Sequence, residues 1–433
     1  MVFLHCHKAR QRSYFCMKWL MQRLLHSVLC IGLIFTTVTA GAHIATEGDK
    51  EPTEVELAFD YIGDLLLVKV RLGGVLPLTF IVDTGSPYSV LFERLYVEIL
   101  GIPLSKAIKI AGADRSQLLE AYIARRVPLV IDDKLSLTKD IIVLKHDYFS
   151  LSNLIGAEVD GILGMDIFRR WIVDIDYRKN RITLRKSLDK VKLSRYITHP
   201  LLLYQGKPYV RIPIDVQGDS TIEATFLLDT GAGVPVMLFN ASHPEITLPT
   251  RHIRGLIGVS LGGNVEGYLA RIHAVHFGGK LYQNPIVYYF IPDTTALINK
   301  IEDPNFAVHG ILGNKLLSHY RIILDAASRT LYLRPYSRKI PQFEIDKSGI
   351  QVFASGPDFK TFVVGYVIEG SPAWEAGIRS GDQILWLGCW HHSWLTLNTL
   401  TKKLSGREGK KIRMKIKRGE RAYWVHFRLR QLI

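Results

Sequence analysis

Cysteine is scarce in this chain: there are four among 433 residues, and Cys6, Cys16 and Cys30 all fall within the first thirty positions. With that stretch removed no intramolecular disulfide can form, so the fold must rest on its own cores rather than on cross-links. Cys389 is expected to be a small buried apolar side chain. Long apolar runs are rarer still. Only residues 24–38 sustain one, and 15 residues is short for a spanning helix, which excludes a multi-span membrane protein. Zinc-finger spacing, a ribonucleoprotein motif and an arginine-rich arm are all missing, so nucleic acid is not an expected partner. His391-His392 has no further ligands nearby, and neither a metal nor a cofactor is expected.

What is present reads as a folded, soluble body. Apolar residues at 48% and charged residues at 22% sit near the globular average, and the length predicts about three domains. The formal charge of +15 is partly local. Lys8, Arg10, Arg12, Lys18 and Arg23 precede the apolar run with no acidic residue among them, and Thr39-Ala40-Gly41-Ala42 follows it. Residues 1–42 are therefore expected to be a secretory signal peptide or, if uncleaved, an amino-terminal membrane anchor, with Met17 as an alternative start. The chain is expected to be exported to the periplasm, the cell envelope or the medium. The remaining positive charge reads as solvated surface.

The chain repeats itself. Val68, Val70 and Leu72 alternate with Lys69 and Arg71, and Thr79-Phe80-Ile81-Val82-Asp83-Thr84-Gly85 follows; Val210, Ile212, Ile214 and Val216 alternate with Arg211 and Asp215, and Thr225-Phe226-Leu227-Leu228-Asp229-Thr230-Gly231 follows. Gly161-Ile162-Leu163-Gly164 is answered by Gly310-Ile311-Leu312-Gly313, and 172–176 by 322–325. The acidic turn recurs 146 residues on (83 to 229) and the glycine motif 149 residues on (161 to 310), a drift that a loop insertion explains. Period-two strands and turn glycines dominate both halves, so each reads as a small closed β-lobe, over 55–186 and 198–338.

An Asp ending a buried apolar strand is costly unless its carboxyl is satisfied. Thr offers a hydroxyl to a partner loop, and Gly lets backbone amides approach. A lone turn of this kind is ordinary, with Asp capping its own backbone. Two at equivalent places are a different matter. Carboxyls brought together by a pseudo-two-fold axis share a proton, and such a pair can draw a proton from water with one member while donating to a carbonyl with the other.

On these residues the chain resembles the retropepsin-like aspartic proteases, whose signature is an apolar pair before Asp-Thr-Gly and a later apolar-Leu-Gly. The resemblance covers about residues 60–335 and implies a mainly β fold of two pseudo-symmetric barrel lobes sharing one cleft. It further implies catalysis by Asp83 and Asp229, loops supported by Thr84, Gly85, Ser86, Thr230 and Gly231, and Ile162-Leu163-Gly164 and Ile311-Leu312-Gly313 threading behind the site. The substrate would be a polypeptide. Both halves lie in one chain, so a monomer would suffice. Ser86 follows the first turn and is expected to donate to Asp83, whereas Ala232 cannot do the same for Asp229, so Asp83 is expected to be the readier to ionise. Glycine-bearing hairpins cover the cleft in that family; Gly112 in the first half and Gly258 in the second are the candidates. A binding protein that keeps this fold without turnover is the alternative reading, and two complete acidic turns weigh against it.

Beyond 340 the repeat stops. A strand at 362–368, then Ser371-Pro372-Ala373, Ala376-Gly377 and Gly381-Asp382 resemble a PDZ domain of the bacterial type over 340–433. Such domains capture a peptide end along an exposed sheet edge. The resemblance puts the carboxylate loop at Ser348, Gly349 and Ile350, which departs from the usual apolar-Gly-apolar form. Leu395, Leu397, Leu400 and Leu404 line the groove helix or serve as plain core. Lys411, Arg413, Lys415 and Lys417 alternate with Ile412, Met414 and Ile416, a strand with one wet face; solvation is the ordinary reading, and attraction to anionic lipid or acidic peptide the other.

Overall fold

The computed structural model describes residues 52–111, 118–133, 135–148, 150–260, 263–291 and 306–433. The expected leader and the three cysteines near the amino terminus lie outside these residues. The fold is mainly β, with four sheets among the described residues.

Each half contains the alternating strand that its sequence predicts. In Leu65–Leu72, Val68, Val70 and Leu72 are buried while Lys69 and Arg71 face solvent. Its counterpart Lys207–Asp215 buries Val210, Ile212 and Ile214, but Asp215 turns inward against expectation, because its carboxylate accepts the Gly218 amide at 2.6 Å in the following turn. Each strand pairs antiparallel with the apolar strand after it, Val68 opposite Phe80 and Val210 opposite Phe226. These second strands, Leu76–Val82 and Thr221–Asp229, are the floors of the two halves.

Both floors then do something that sequence order does not suggest. Gly161–Leu163 joins the first in parallel, Phe80 opposite Gly161, and Gly310–Gly313 joins the second in parallel, Phe226 opposite Gly310. The other edge of each short strand is taken antiparallel, by Val90–Leu91 and by Val236–Phe239. Leu65–Leu72 also pairs with the long strand Leu118–Asp132, bending the first sheet back on itself; Ile214 pairs with Val275 to the same effect in the second.

A six-stranded sheet joins the halves. Its two central strands come one from each half, Ile172–Asp176 and Tyr320–Asp325, with Val173 opposite Leu324 and Ile175 opposite Ile322. One continuous apolar core runs through this sheet and into both halves. Asp174 lies within it, its side chain wholly buried, and the Arg321 guanidinium meets it with two hydrogen bonds of 2.8 and 2.6 Å while Arg185 approaches at 3.3 Å.

The carboxy-terminal residues have a core of their own, to which Leu395, Leu397, Leu400 and Leu404 all contribute as buried side chains. The sheet order there is Ile350–Ser355, Thr361–Val367, Gln383–Leu387, Lys411–Arg418 and Arg421–Arg428. Cys389 is exposed rather than buried, since it occupies the turn between Gln383–Leu387 and Trp390–His391 where no core lies behind it.

Removing one member of a buried ion pair strands the other charge, which typically costs about 3–5 kcal/mol, whereas replacing both by apolar groups is close to neutral. Arg321→Met should therefore lower the unfolding free energy by about 3 kcal/mol, and Asp174→Val/Arg321→Met should recover most of it in a denaturant titration.

Candidate active site

Asp83 directly follows Leu76–Val82, and Asp229 is the last residue of Thr221–Asp229. The two floors run toward one another, and their acidic ends meet. The carboxyl of Asp83 and that of Asp229 are hydrogen-bonded to each other.

What holds them there is a reciprocal lock between the next residues. The Thr84 amide donates to Thr230 Oγ1 at 3.0 Å, and the Thr230 amide donates to Thr84 Oγ1 at 3.0 Å. Each hydroxyl then donates across the junction, Thr84 to the Leu228 carbonyl at 2.6 Å and Thr230 to the Val82 carbonyl at 2.7 Å. Both threonines are fully enclosed. Four groups that burial would otherwise leave orphaned are thus satisfied by the opposite half, so neither loop is complete alone.

Gly85 and Gly231 are required by contact. A Cβ on Gly85 would lie 2.6 Å from the Asp229 carboxyl carbon, and one on Gly231 would lie 2.4 Å from that of Asp83. Their amides also serve the adjacent carboxylates, Gly85 donating to Asp83 Oδ1 at 2.7 Å and Gly231 to Asp229 Oδ1 at 2.8 Å.

Ile162-Leu163-Gly164 and Ile311-Leu312-Gly313 lie directly behind these loops, as the parallel pairings require. A side chain at Gly164 would strike the Tyr88 carbonyl at 2.5 Å, and one at Gly313 the Val234 carbonyl at 2.4 Å. The next amide then closes on the loop identically in the two halves: Met165 donates to the Ser86 carbonyl and Asn314 to the Ala232 carbonyl, both at 2.8 Å. Residues that the sequence reading passed over also buttress the site. Asn314, wholly buried, donates from Nδ2 to the Thr230 carbonyl at 2.5 Å and accepts from the Tyr177 hydroxyl at 2.6 Å. One residue ahead of each glycine motif, Asp160 accepts the Thr79 amide at 2.8 Å and His309 Nδ1 accepts the Thr225 amide at 2.9 Å. An unlike pair at one repeat position, Asp160 against His309, was the only available signal.

The halves differ in how they treat their carboxylates. Asp83 Oδ1 accepts a second amide, from Ser86 at 3.1 Å, whereas the Ala232 amide reaches only the Asp229 backbone carbonyl. The Ser86 hydroxyl does not serve Asp83 as expected; it donates to the Tyr88 carbonyl at 2.7 Å, because the amides already occupy the near oxygen. Burial pushes both carboxyls up. For Asp83, the hydrogen bond from Asp229 and the two amides offset part of that rise. For Asp229, the neighbouring Asp83 charge adds to burial and holds it well above the usual carboxylate range. The extra amide at Asp83 favours its ionised form over that of Asp229.

Of the hairpin candidates, Gly258 sits in the pair His252–Ser260 and Gly263–Arg271, two residues past Leu256 at an irregularity in the register, with open space where a side chain would be. Gly112 lies outside the described residues. Its hairpin is defined up to Ala111, paired with Leu118.

The loop at Ser348, Gly349 and Ile350 is occupied by the chain itself. All three amides donate to Asp346 Oδ1, at 2.9, 2.7 and 3.2 Å. Gly349 has φ of 81° and a would-be Cβ only 2.2 Å from that of Ser371, so glycine is needed there. Farther along, helix Leu151–Ile155 lies against the edge strand Ile350–Ser355. Gly156 packs between that strand and helix Leu397–Leu404, where a side chain would fall 2.9 Å from Leu397 Cβ and 3.5 Å from Ala354 Cβ.

Comparison with known proteins places a name on part of this arrangement. Residues 68–167, which hold the first acidic turn and its glycine motif, match the family model described as aspartyl protease. No curated protein matches the chain. Among solved structures the chain is similar to the aspartic proteinase from Irpex lacteus, at 14% identity and a TM-score of 0.42, covering 66% of this chain and 98% of that one.

Raised carboxyl values mean that the folded state holds protons the unfolded state would release above 3.8. The pair's contribution to stability is therefore fully present at acid pH and is lost as pH rises through the raised values. Asp229→Asn removes that loss while keeping an acceptor for Gly231. Its unfolding free energy relative to wild type should increase by on the order of 1 kcal/mol between about pH 4 and pH 7, read from denaturation midpoints across that range.

Proposed function

We propose that the chain is an aspartic endopeptidase that hydrolyses peptide bonds with Asp83 and Asp229 as its catalytic pair. The observation that carries this reading is the meeting of two carboxyls at the ends of two turns built on the same Asp-Thr-Gly plan and locked to each other through Thr84 and Thr230. A water bound between them loses a proton to Asp83 as it attacks the scissile carbonyl, and Asp229 donates to the carbonyl oxygen. The tetrahedral intermediate that forms is not bonded to the protein; as its C–N bond breaks, Asp83 gives its proton to the leaving amine and Asp229 takes one back from a hydroxyl of the intermediate, which restores the pair. Thr84, Gly85, Ser86, Thr230 and Gly231 keep the carboxyls aligned through the hydrogen bonds described above. The glycine motifs back the loops, and Gly258 belongs to a hairpin over the cleft. No cofactor takes part in these steps.

The organisation we assign is a leader or anchor over 1–42, lobes over 55–186 and 198–338 derived from one duplicated unit, and a PDZ-type module over 340–433. A single chain carries the whole site and acts outside the cytoplasm on polypeptides. The module presents a peptide groove between Ile350–Ser355 and Leu397–Leu404, filled by Asp346 and by the 151–156 segment.

Wild-type protein should cleave a denatured polypeptide, and Asp83→Asn or Asp229→Asn should each lower kcat by at least about 10²-fold with Thr84 and Thr230 unchanged. Intact substrate after incubation across acid to neutral pH would reject the proposal. Peptide capture by the module has a separate readout. Asp346→Ala empties the amide cluster while the 151–156 segment still covers the strand edge, so a probe short enough to need only the cluster, a fluorescent dipeptide with a free carboxylate and an apolar last residue, should bind that variant at least about tenfold tighter than wild type by anisotropy. Equal affinities would reject the groove assignment without touching the peptidase reading.

A further inference from the structure

The carboxy-terminal sheet has one face on its core, and along Lys411–Arg418 and Arg421–Arg428 its other face carries mostly exposed side chains. Strand register determines what that outer face presents. Trp386 stands opposite Lys415, and Lys415 opposite Trp424. Along the same face Arg413 stands opposite His426, and Lys411 opposite Arg428. Residues directly opposite one another share a face, while the alternate ones, Ile412, Met414, Ile416 and Val425, are buried in the module core. The face is therefore aromatic and basic, with no carboxylate in any of these rows. Glu420 lies past its end, in the turn between the two strands, with its carboxylate 3.9 Å from Lys417.

Its indoles are not tucked away. Trp394, 66% exposed, stands edge-on to Trp386 with ring centroids 6.2 Å apart, and Trp424 is 37% exposed. Large apolar rings in water among cations are an unfavourable surface for a protein that keeps this face free. They suit an interface in which the ring rests at the headgroup level and the cations meet phosphates.

We propose that this face seats the protein on an anionic lipid surface. A single-stranded nucleic acid also seeks cations and aromatic rings, but it needs open ring faces on which bases can stack. Here the Arg413 guanidinium lies 4.1 Å over the Trp424 ring, and Trp394 meets Trp386 edge-on. The cation on Trp424 denies that ring face to a base while it can still meet a phosphate, and the exposed Trp394 indole is left for the headgroup boundary. The seat includes no residue of the carboxyl pair, so it holds whatever the fate of the peptidase reading. It would confine the chain to a membrane without help from residues 1–42.

The test uses the full chain and sedimentation with vesicles rich in phosphatidylglycerol, set against vesicles of phosphatidylcholine alone. Wild type should prefer the anionic vesicles by at least about tenfold, the preference should fade as salt rises, and tryptophan emission should shift to the blue on binding. Arg413→Glu/Lys415→Glu, which shares the same amino terminus, should lose the preference and keep any binding to phosphatidylcholine. Trp394→Ser should keep the preference but weaken it and reduce the emission shift. Should the double variant fail to fold by circular dichroism, Lys411→Gln/Arg428→Gln supplies a milder loss of the same kind. Equal binding of wild type to both vesicles, an unaltered preference in a folded charge variant, or displacement of the vesicles by an oligothymidine at equal salt would each overturn the proposal.

Discussion

Two half-buried carboxyls side by side repel as soon as both ionise, so they stay together only if something stiffer than their own attraction holds them. In this protein that is the crossed pair of threonines. Thr84 and Thr230 exchange amide-to-hydroxyl bonds and then tie each hydroxyl to the opposite floor strand. All the groups involved are buried, and leaving any one unmet would cost about 1–3 kcal/mol. The loops therefore close together or not at all, and the parallel strands behind them, with glycine wherever a Cβ would strike a carbonyl, can only pack once they have closed.

Near-symmetry of this kind makes the small departures from it informative. One extra amide at Asp83 and none at Asp229 is enough to bias where a shared proton sits, because in a buried pair a single hydrogen bond to an ionised oxygen is worth more than in water. Asn314 is the other departure. Its counterpart Met165 is apolar, so only the second turn is tied through a side-chain amide to Thr230 and onward to Tyr177 from the first half. The central sheet adds a further bond between halves, with Arg321 from one neutralising Asp174 from the other inside the shared core. Every strong polar device between the halves thus takes one partner from each.

The carboxy-terminal module follows a different logic. Its amide cluster at Ser348, Gly349 and Ile350 is satisfied by Asp346 four residues or fewer away, and its edge strand is covered by a helix from the first half. An exposed edge invites unwanted pairing, and both arrangements suppress it. What remains open to solvent is the opposite, basic and aromatic side.

Much of this was legible in the residues themselves. The alternation at 68–72 and 210–214, the two acidic turns and the two glycine motifs were readable because a strand's period and a turn's chemistry are local properties. Gly85 and Gly231 were readable as loop glycines, though the carboxyl each makes room for belongs to the other half. The Ser86 hydroxyl misled because its nearest acceptor, the Tyr88 carbonyl, is a matter of turn geometry. Asp215 and Cys389 were placed on the wrong side of the surface for a similar reason: a hydrogen bond in a following turn, or a turn itself, can override the pattern. The leader and Gly112 lie beyond the described residues.

By itself, then, the chain order determined the strands and the turns, since each depends on neighbours within a few positions, and the repeat of one turn 146 residues on singled out the two acids. Tertiary structure alone decided that Asp83 meets Asp229, that Asn314 braces one turn, that Ile172–Asp176 pairs with Tyr320–Asp325, and that Asp346 fills its own loop. Those outcomes depend on which distant backbone groups burial leaves unsatisfied, and no pattern along the chain records that.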